Sequence, residues 1–270
     1  MAACHLRSIS LPSRSHPLTL SIEEQLYKLK ASQSSSIGQK LNGLKNLFEC
    51  VEDLLQLPAT QQNPNKSAEN ALNGSIELLD MCDTTRDFVS QMKECVQGLE
   101  LSLRRRKGGD FCLTSDVDAY MVSRKKLNKL ICKSLRNLKR KERNCSPGAL
   151  NNNSNMISML RDVEEVSVAV FKSILSSISE PKAKSKSSIL SKLLQSKRVS
   201  CEVEVNEVEN IDAELLVLKS SKDIKHLQIQ NVLKGLESLE SSIKEAEEEL
   251  ECVYRQLVKT RVSLLNILNN

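Results

Sequence analysis

An apolar residue recurs every three or four positions through the last segment of the chain, from residue 229 to residue 267. Alternating steps of three and four place these side chains on one stripe of an α-helix, which at about 1.5 Å per residue is roughly 60 Å long. Such a stripe either pairs with a second chain as a coiled coil or packs inside a bundle made by its own chain. Leu233, Tyr254 and Leu268 widen the apolar face, which favours the bundle. The stripe consists of Ile229, Val232, Leu236, Leu239, Ile243, Ala246, Leu250, Val253, Leu257, Thr260, Leu264 and Ile267.

Four earlier segments carry the same spacing, and the chain has few residues that would interrupt helices. The segments cover residues 37–55, 78–103, 117–138 and 156–178, and each stops near glycine or proline. Only eight glycines and six prolines occur, whereas a β-sandwich or barrel of this length needs many more turn residues. The sequence therefore predicts an all-α fold, an elongated antiparallel bundle of long heptad-patterned helices.

The domain organisation follows from composition shifts along the chain. Residues 1–20 contain no acidic residue and are rich in Ser, Pro and Arg, which predicts a disordered basic N-terminal tail. The same composition is typical of an organelle transit peptide, so import into plastids stays open as an alternative. Thr114 or Ser115 is predicted to cap the third long helix. Residues 21–270 are predicted to form the helical bundle, with linkers near residues 58–66, 107–113, 144–152 and 179–188.

The nine cysteines are scattered along the chain, and no two have C-x-x-C spacing, which argues against a zinc site. An odd number of cysteines without a secretory signal is typical of reduced thiols in an intracellular compartment. No stretch approaches the roughly 20 apolar residues that a membrane-spanning helix needs. We therefore expect a soluble intracellular protein, cytoplasmic unless its N-terminus directs it to plastids.

Catalytic chemistry has little support in the sequence. Acid–base, nucleophilic and metal-dependent catalysis need positioned His, Cys, Asp or Glu side chains, and only three histidines occur. His5 and His16 lie in the predicted tail, and His226 lies among polar residues near the start of the last helix. No H-E-x-x-H, G-x-S-x-G, P-loop or G-x-G-x-x-G pattern is present. We predict a protein that is not an enzyme, without catalytic residues, a metal site or a cofactor.

Charge is distributed unevenly along the chain. Residues 101–143 hold fourteen Lys and Arg against four acids, a net charge of +10, whereas residues 202–253 hold fourteen acids against five Lys, a net charge of −9. The basic helix is predicted over residues 115–143, and only Arg124 interrupts its apolar stripe. Six basic residues on the opposite face form the basic ridge: Lys125, Lys129, Lys133, Arg136, Arg140 and Arg143.

The basic ridge has three candidate partners. It pairs with the acidic helix of the same chain, it binds an anionic membrane surface, or it binds nucleic acid through phosphates. Nucleic acid is the least favoured of the three because the ridge carries no aromatic side chain on which bases could stack.

A short motif in the N-terminal tail predicts a modification site. Arg7, Ser10 and Pro12 fit the pattern R-S-x-S-x-P, which resembles the phosphoserine motif recognised by 14-3-3 adaptors. A phosphate on Ser10 would offer three acceptor oxygens to a cluster of arginines in such an adaptor. The tail is therefore a candidate for binding a 14-3-3 type protein.

Three stretches along the chain carry a family resemblance. They are residues 5–17 (HLRSISLPSRSHP), 77–87 (ELLDMCDTTRD) and 260–268 (TRVSLLNIL). In this order they resemble a plant-specific family of unknown biochemical function, grouped with the BYPASS-type proteins and associated with root and shoot development. The resemblance implies no catalytic residues. It supplies no mechanism either. Because of the long helices and the modifiable N-terminal tail, we predict a non-enzymatic regulatory or scaffold protein of plants that acts through protein partners, with an oligomeric state that the sequence leaves open.

Overall fold

The computed structural model describes residues 16–31, 35–61, 66–105, 113–144, 155–179, 207–220 and 226–269. These residues form eight helical segments and contain no β-strand. In chain order the segments are α1 (Pro17–Ala31), α2 (Ile37–Leu55), α3 (Pro58–Gln61), α4 (Lys66–Arg104), α5 (Leu113–Asn144), α6 (Asn155–Ile178), α7 (Glu207–Ser220) and α8 (His226–Asn269). The predicted all-α fold is confirmed.

The apolar stripe of α8 forms the centre of the bundle. Its members from Val232 to Ile267, including the hydroxyl-bearing Thr260, are at most 7% exposed. The helix contains 44 residues and is about 66 Å long. It packs along α4 and α2 of the same chain, so the stripe is covered within the bundle as its width predicted.

Polar contacts between helices establish their relative directions. Residues that rise in number along α4 meet residues that fall in number along α8, so these two helices are antiparallel. By contrast, α2 runs parallel to α8, because Gln256 Nε2 donates to Glu49 Oε1 at 3.3 Å and Ser263 Oγ donates to Glu52 Oε1 at 2.7 Å. The α4–α8 ion pairs, measured from side-chain nitrogen to carboxylate oxygen, are Arg86–Glu251 at 3.1 Å, Lys93–Glu247 at 2.6 Å and Arg104–Glu237 at 2.6 Å.

The first helix begins before the predicted end of the N-terminal tail. The structure starts α1 at Pro17, so residues 17–20 are helical and the predicted boundary at residue 20 is wrong. Proline suits the first position of a helix because its fixed φ angle is helical and its missing N–H would have no partner within the helix. The N–H of Leu18 donates to His16 Nδ1 at 3.2 Å, and the Leu18 side chain packs against the core.

Other boundaries differ from the predicted ones by a few residues. The predicted linker at 58–66 contains the one-turn helix α3, and α4 already begins at Lys66. Because α5 begins at Leu113, Thr114 and Ser115 lie inside its first turn and do not cap it. The other predicted linkers, 107–113, 144–152 and 179–188, lie almost entirely outside the described residues. Helix α7 was not predicted, although its buried residues Val208, Ile211, Leu215 and Leu218 follow the same spacing.

Candidate functional site

The basic ridge lies on the exposed side of α5. The inner face of this helix packs against α4, α6 and α7 and includes the buried Val117, Leu127 and Ile131. Lys125, Lys129, Lys133, Arg136 and Arg140 are all exposed, and none of them forms an ion pair with any other described residue. The remaining ridge member, Arg143, belongs to the last turn of α5, and its side chain lies outside the described part of the chain.

The acidic residues of α8 are paired with a different helix. The three ion pairs given above connect Glu237, Glu247 and Glu251 to α4, and Arg86 also lies over the ring of Tyr254 at 5.1 Å. The attraction expected between the basic ridge and the acidic helix of the same chain is therefore not observed among the described residues. Arg136 Nε instead donates to the carbonyl oxygen of Cys132 at 3.0 Å, within its own helix.

Arg124 behaves differently from the ridge because its side chain is fully buried, at 0% exposure. Its Nη2 lies 3.2 Å from Asp212 Oδ2, and Tyr120 donates its hydroxyl to Asp212 Oδ1 at 2.9 Å. Burial, followed by the charge of Asp212, raises the pKa of Tyr120, so this hydroxyl remains a donor. Nε and Nη1 of Arg124 have no partner among the described residues, so the guanidinium uses only part of its bonding capacity.

This buried cluster attaches α7 to the N-terminal half of α5. A second ion pair, between Lys219 and Asp118, joins the same two helices closer to the N-terminus of α5 and the C-terminus of α7. The sequence contained a signal for the cluster, because Arg124 is the residue that interrupts the apolar stripe, and Tyr120 lies four residues before it on the same face. The partner Asp212 could not be identified in this way, since it lies 88 residues further along the chain.

A groove of about 250 Å³ lies between α4 and α5 beside this cluster. Cys95 and Gly98 of α4 line it, together with Tyr120 and Ser123 of α5. Burial raises the pKa of the Cys95 thiol, and it raises that of the core thiol Cys82 to about 12. Both thiols therefore stay protonated at neutral pH, and a protonated thiol is a poor nucleophile.

Val258, Val262 and Leu265 are exposed at helical spacing on α8, and Ile76 is exposed on α4 next to Ser75, which Arg261 of α8 reaches. We call these four side chains the apolar strip. Arg261 fixes the alignment of the two helices at this point. Its Nη1 donates to the Leu72 carbonyl oxygen at 3.0 Å and to Ser75 Oγ at 3.1 Å. Val262 is 50% exposed and Ile76 is 43% exposed, so this edge of the bundle presents apolar surface to its surroundings.

The predicted adaptor motif, Arg7, Ser10 and Pro12, lies outside the described residues. Within the described ranges, no three His, Cys, Asp or Glu side chains come together in a way that could hold a metal ion. No helix in those ranges is both long enough and apolar enough to cross a membrane. The features that distinguish the described part of the chain are two exposed surfaces, the basic ridge and the apolar strip, and the buried Arg124 cluster.

These features define a class of protein, an all-α bundle with an exposed basic ridge and exposed apolar side chains. The chain matches the family model described as Protein BPS1 over residues 40–267, and it belongs to that family. The match confirms the BYPASS-type grouping that the three sequence stretches indicate, and it includes the basic ridge and the apolar strip. No curated protein and no solved structure matches the chain.

Proposed function

We propose that this chain is a non-enzymatic regulatory or scaffold protein that acts in the root and shoot development of plants through protein–protein interaction. Membership of the BPS1 family supports a role in regulating plant development. The main support for a protein–protein interaction is the apolar strip, because exposed apolar side chains grouped on two helices are typical of a contact surface. The proposed compartment is the cytoplasm, with plastid import through the N-terminus as the alternative.

The strip suits a protein partner because the helices that carry it are held in register. Ion pairs and the Arg261 hydrogen bonds join α4 to α8 along much of their length. A surface that is already ordered loses little conformational entropy when it binds. We expect a partner with a complementary apolar face, such as an amphipathic helix.

Proximity labelling in plant tissue with the full-length chain tests this function. Val262→Glu places a charge in the centre of the strip and is expected to remove its principal partners from the labelled set. Leu101→Glu is the matched control, since Leu101 is 52% exposed on α4 and lies outside the strip. Identical labelled sets for the two variants would refute a role of the strip in binding.

The N-terminal motif supports a second protein contact within the same proposed function. Arg7 lies three residues before Ser10 and suits a basic-directed kinase, while Pro12 is compatible with the chain leaving an adaptor groove. A peptide of residues 4–17 phosphorylated on Ser10 should bind a 14-3-3 type adaptor at least about tenfold more tightly than the unmodified peptide. Ser10→Ala in the full chain should abolish the contact without changing the melting midpoint. Equal affinity of the two peptides, or removal of the first 17 residues in the plant, would refute it.

The basic ridge supports a second candidate function, in which the chain is a peripheral binder of anionic membranes or of nucleic acid. The specific observation in its favour is that the described ridge residues are exposed and have no acidic partner among the residues that the structure describes. Clustered Lys and Arg attract both lipid headgroups and nucleic acid phosphates.

A further inference from the structure

The outer surface of α5 carries more positive charge than the ridge residues alone. Residues 119–141 contain no acid. Lys125 and Arg140 are fifteen residues apart, so the basic surface is about 22 Å long. Through residue 140, no side chain of α5 beyond Ile131 is buried, so the second half of the helix is only lightly covered by the bundle. The exposed basic side chains over this length are Lys125, Lys126, Lys129, Lys133, Arg136, Lys139 and Arg140.

Two exposed apolar side chains lie among these charges. Val122 is 51% exposed and has Lys125 and Lys126 one helical turn away. Leu130 is 47% exposed and has Lys126 and Lys133 as its neighbours at the same spacing. The face therefore combines a row of cations with two apolar side chains that are about half exposed.

Building on the second candidate function, we infer that this face docks on an anionic lipid bilayer. Helix α5 lies parallel to the membrane surface, its Lys and Arg side chains contact acidic headgroups, and Val122 and Leu130 enter the boundary between headgroups and acyl chains. A surface-lying helix with Lys and Arg beside apolar residues is the arrangement that such membranes bind. The long stems of Lys and Arg let their charges reach the headgroups while the apolar side chains enter more deeply.

A bilayer explains both kinds of side chain, whereas duplex nucleic acid explains only the charges. A phosphate backbone offers nothing apolar to Val122 and Leu130. Base recognition relies mainly on the free planar fork of Arg, but five of the seven exposed cations are Lys and Arg136 already donates its Nε to Cys132. The exposed apolar side chains therefore favour lipid as the partner.

Flotation of the full-length chain with lipid vesicles tests the inference. One set of vesicles contains phosphatidylcholine alone, and the other also contains about 30% phosphatidylserine, a fraction on the order of the anionic lipid in cell membranes. Binding is expected only to the anionic vesicles and should weaken steeply between low and physiological salt. The variant Lys125→Gln, Lys129→Gln, Lys133→Gln should bind roughly 100-fold more weakly, since each basic residue near the surface contributes about fivefold. The variant Val122→Ser, Leu130→Ser keeps the charge and should bind about tenfold more weakly.

The chain provides a matched control for the charge variant. Lys234→Gln, Lys244→Gln, Lys259→Gln removes the same net charge from exposed positions on α8. This control should bind anionic vesicles as the unmodified chain does. The melting midpoint of every variant shows whether its fold is intact, and all substituted side chains are at least partly exposed.

Each outcome distinguishes the inference from the function on which it rests. Equal vesicle binding by the α5 and α8 charge variants, or equal binding to neutral and anionic vesicles, overturns the inference. Retention on duplex DNA that depends on the three lysines, without vesicle binding, overturns it but supports the nucleic-acid form of the second candidate function. Absence of binding to both partners overturns both. Unchanged vesicle binding by the Val122→Ser, Leu130→Ser variant overturns the insertion of these side chains.

Discussion

Helices α8 and α5 both carry many charged side chains, but those of α8 form ion pairs with a neighbouring helix and those on the outer face of α5 do not among the described residues. Three acidic residues of α8 meet cations of α4 at distances between 2.6 and 3.1 Å, beside a buried apolar stripe. On α5, the described ridge cations meet no acid within the described ranges, whereas Arg124 on the inner face is fully buried and paired with Asp212. Charge beside the core of this protein thus joins helices, whereas charge on the outer face of α5 remains exposed.

The largest expected effect on stability comes from placing a charge in the buried apolar stripe of α8. Leu250 is 0% exposed in the α8 stripe, so Leu250→Asp buries an unpaired charge and should lower the free energy of unfolding by at least about 4 kcal/mol. Thermal or urea unfolding measures this loss of stability. Val262→Asp on the exposed side of the same helix should change it by less than about 0.5 kcal/mol. An unchanged midpoint for Leu250→Asp would show that α8 is not central to the fold.

The second effect concerns the buried cation of α5. Asp212→Ala removes the acid paired with Arg124 and should lower the free energy of unfolding by about 3 kcal/mol, because a fully buried guanidinium is left without its counter-charge. Adding Arg124→Met removes that charge and should recover most of the loss. Asp118→Ala, which breaks the exposed pair with Lys219, should lower it by less than about 1 kcal/mol. If the double variant is no more stable than Asp212→Ala, the pair does not explain the burial of Arg124.

A smaller effect is expected for the partly exposed pair between α4 and α8. A double-mutant cycle with Lys93→Ala and Glu247→Ala should give a coupling of about 0.5 kcal/mol that shrinks at high salt. The hydrogen bond to Glu247 raises the pKa of Lys93 above its ordinary 10.5. The contribution is therefore fully present below pH 10.5 and lost as the pH rises through the higher pKa of the folded state. A coupling that persists unchanged above the pKa of Lys93 in the folded state would contradict the pairing.

The smallest effect on stability is expected at the basic ridge. Neutralising Lys129, Lys133 and Arg136 together should change the free energy of unfolding by less than about 0.5 kcal/mol, since these exposed side chains have no acidic partner among the described residues. At low salt the variant should be slightly more stable, because like charges one turn apart repel each other. A clear loss of stability at low salt, relieved at high salt, would instead show that the ridge is paired within the chain.

The positions of the exposed and buried faces could be predicted well from the spacing of apolar residues. This spacing placed Leu250 in the core and Lys129 on the surface, because helical geometry alone decides which residues share a face. Short helices were harder to predict. Helix α7 has only 14 residues and lies in an acidic segment, and α1 begins at a proline within a segment whose composition is typical of a tail.

The sequence by itself determined that the chain forms long helices, that α8 has one continuous buried face, and that the basic ridge lies opposite the apolar side of α5. These are properties of single helices, and local periodicity specifies them. Only the tertiary structure decided that the acids of α8 pair with α4 rather than α5, that α2 runs parallel to α8, and that Asp212 reaches Arg124. The apolar spacing is similar in several helices, so it does not encode which faces meet. That choice depends on how the side chains of all the helices fill one core together.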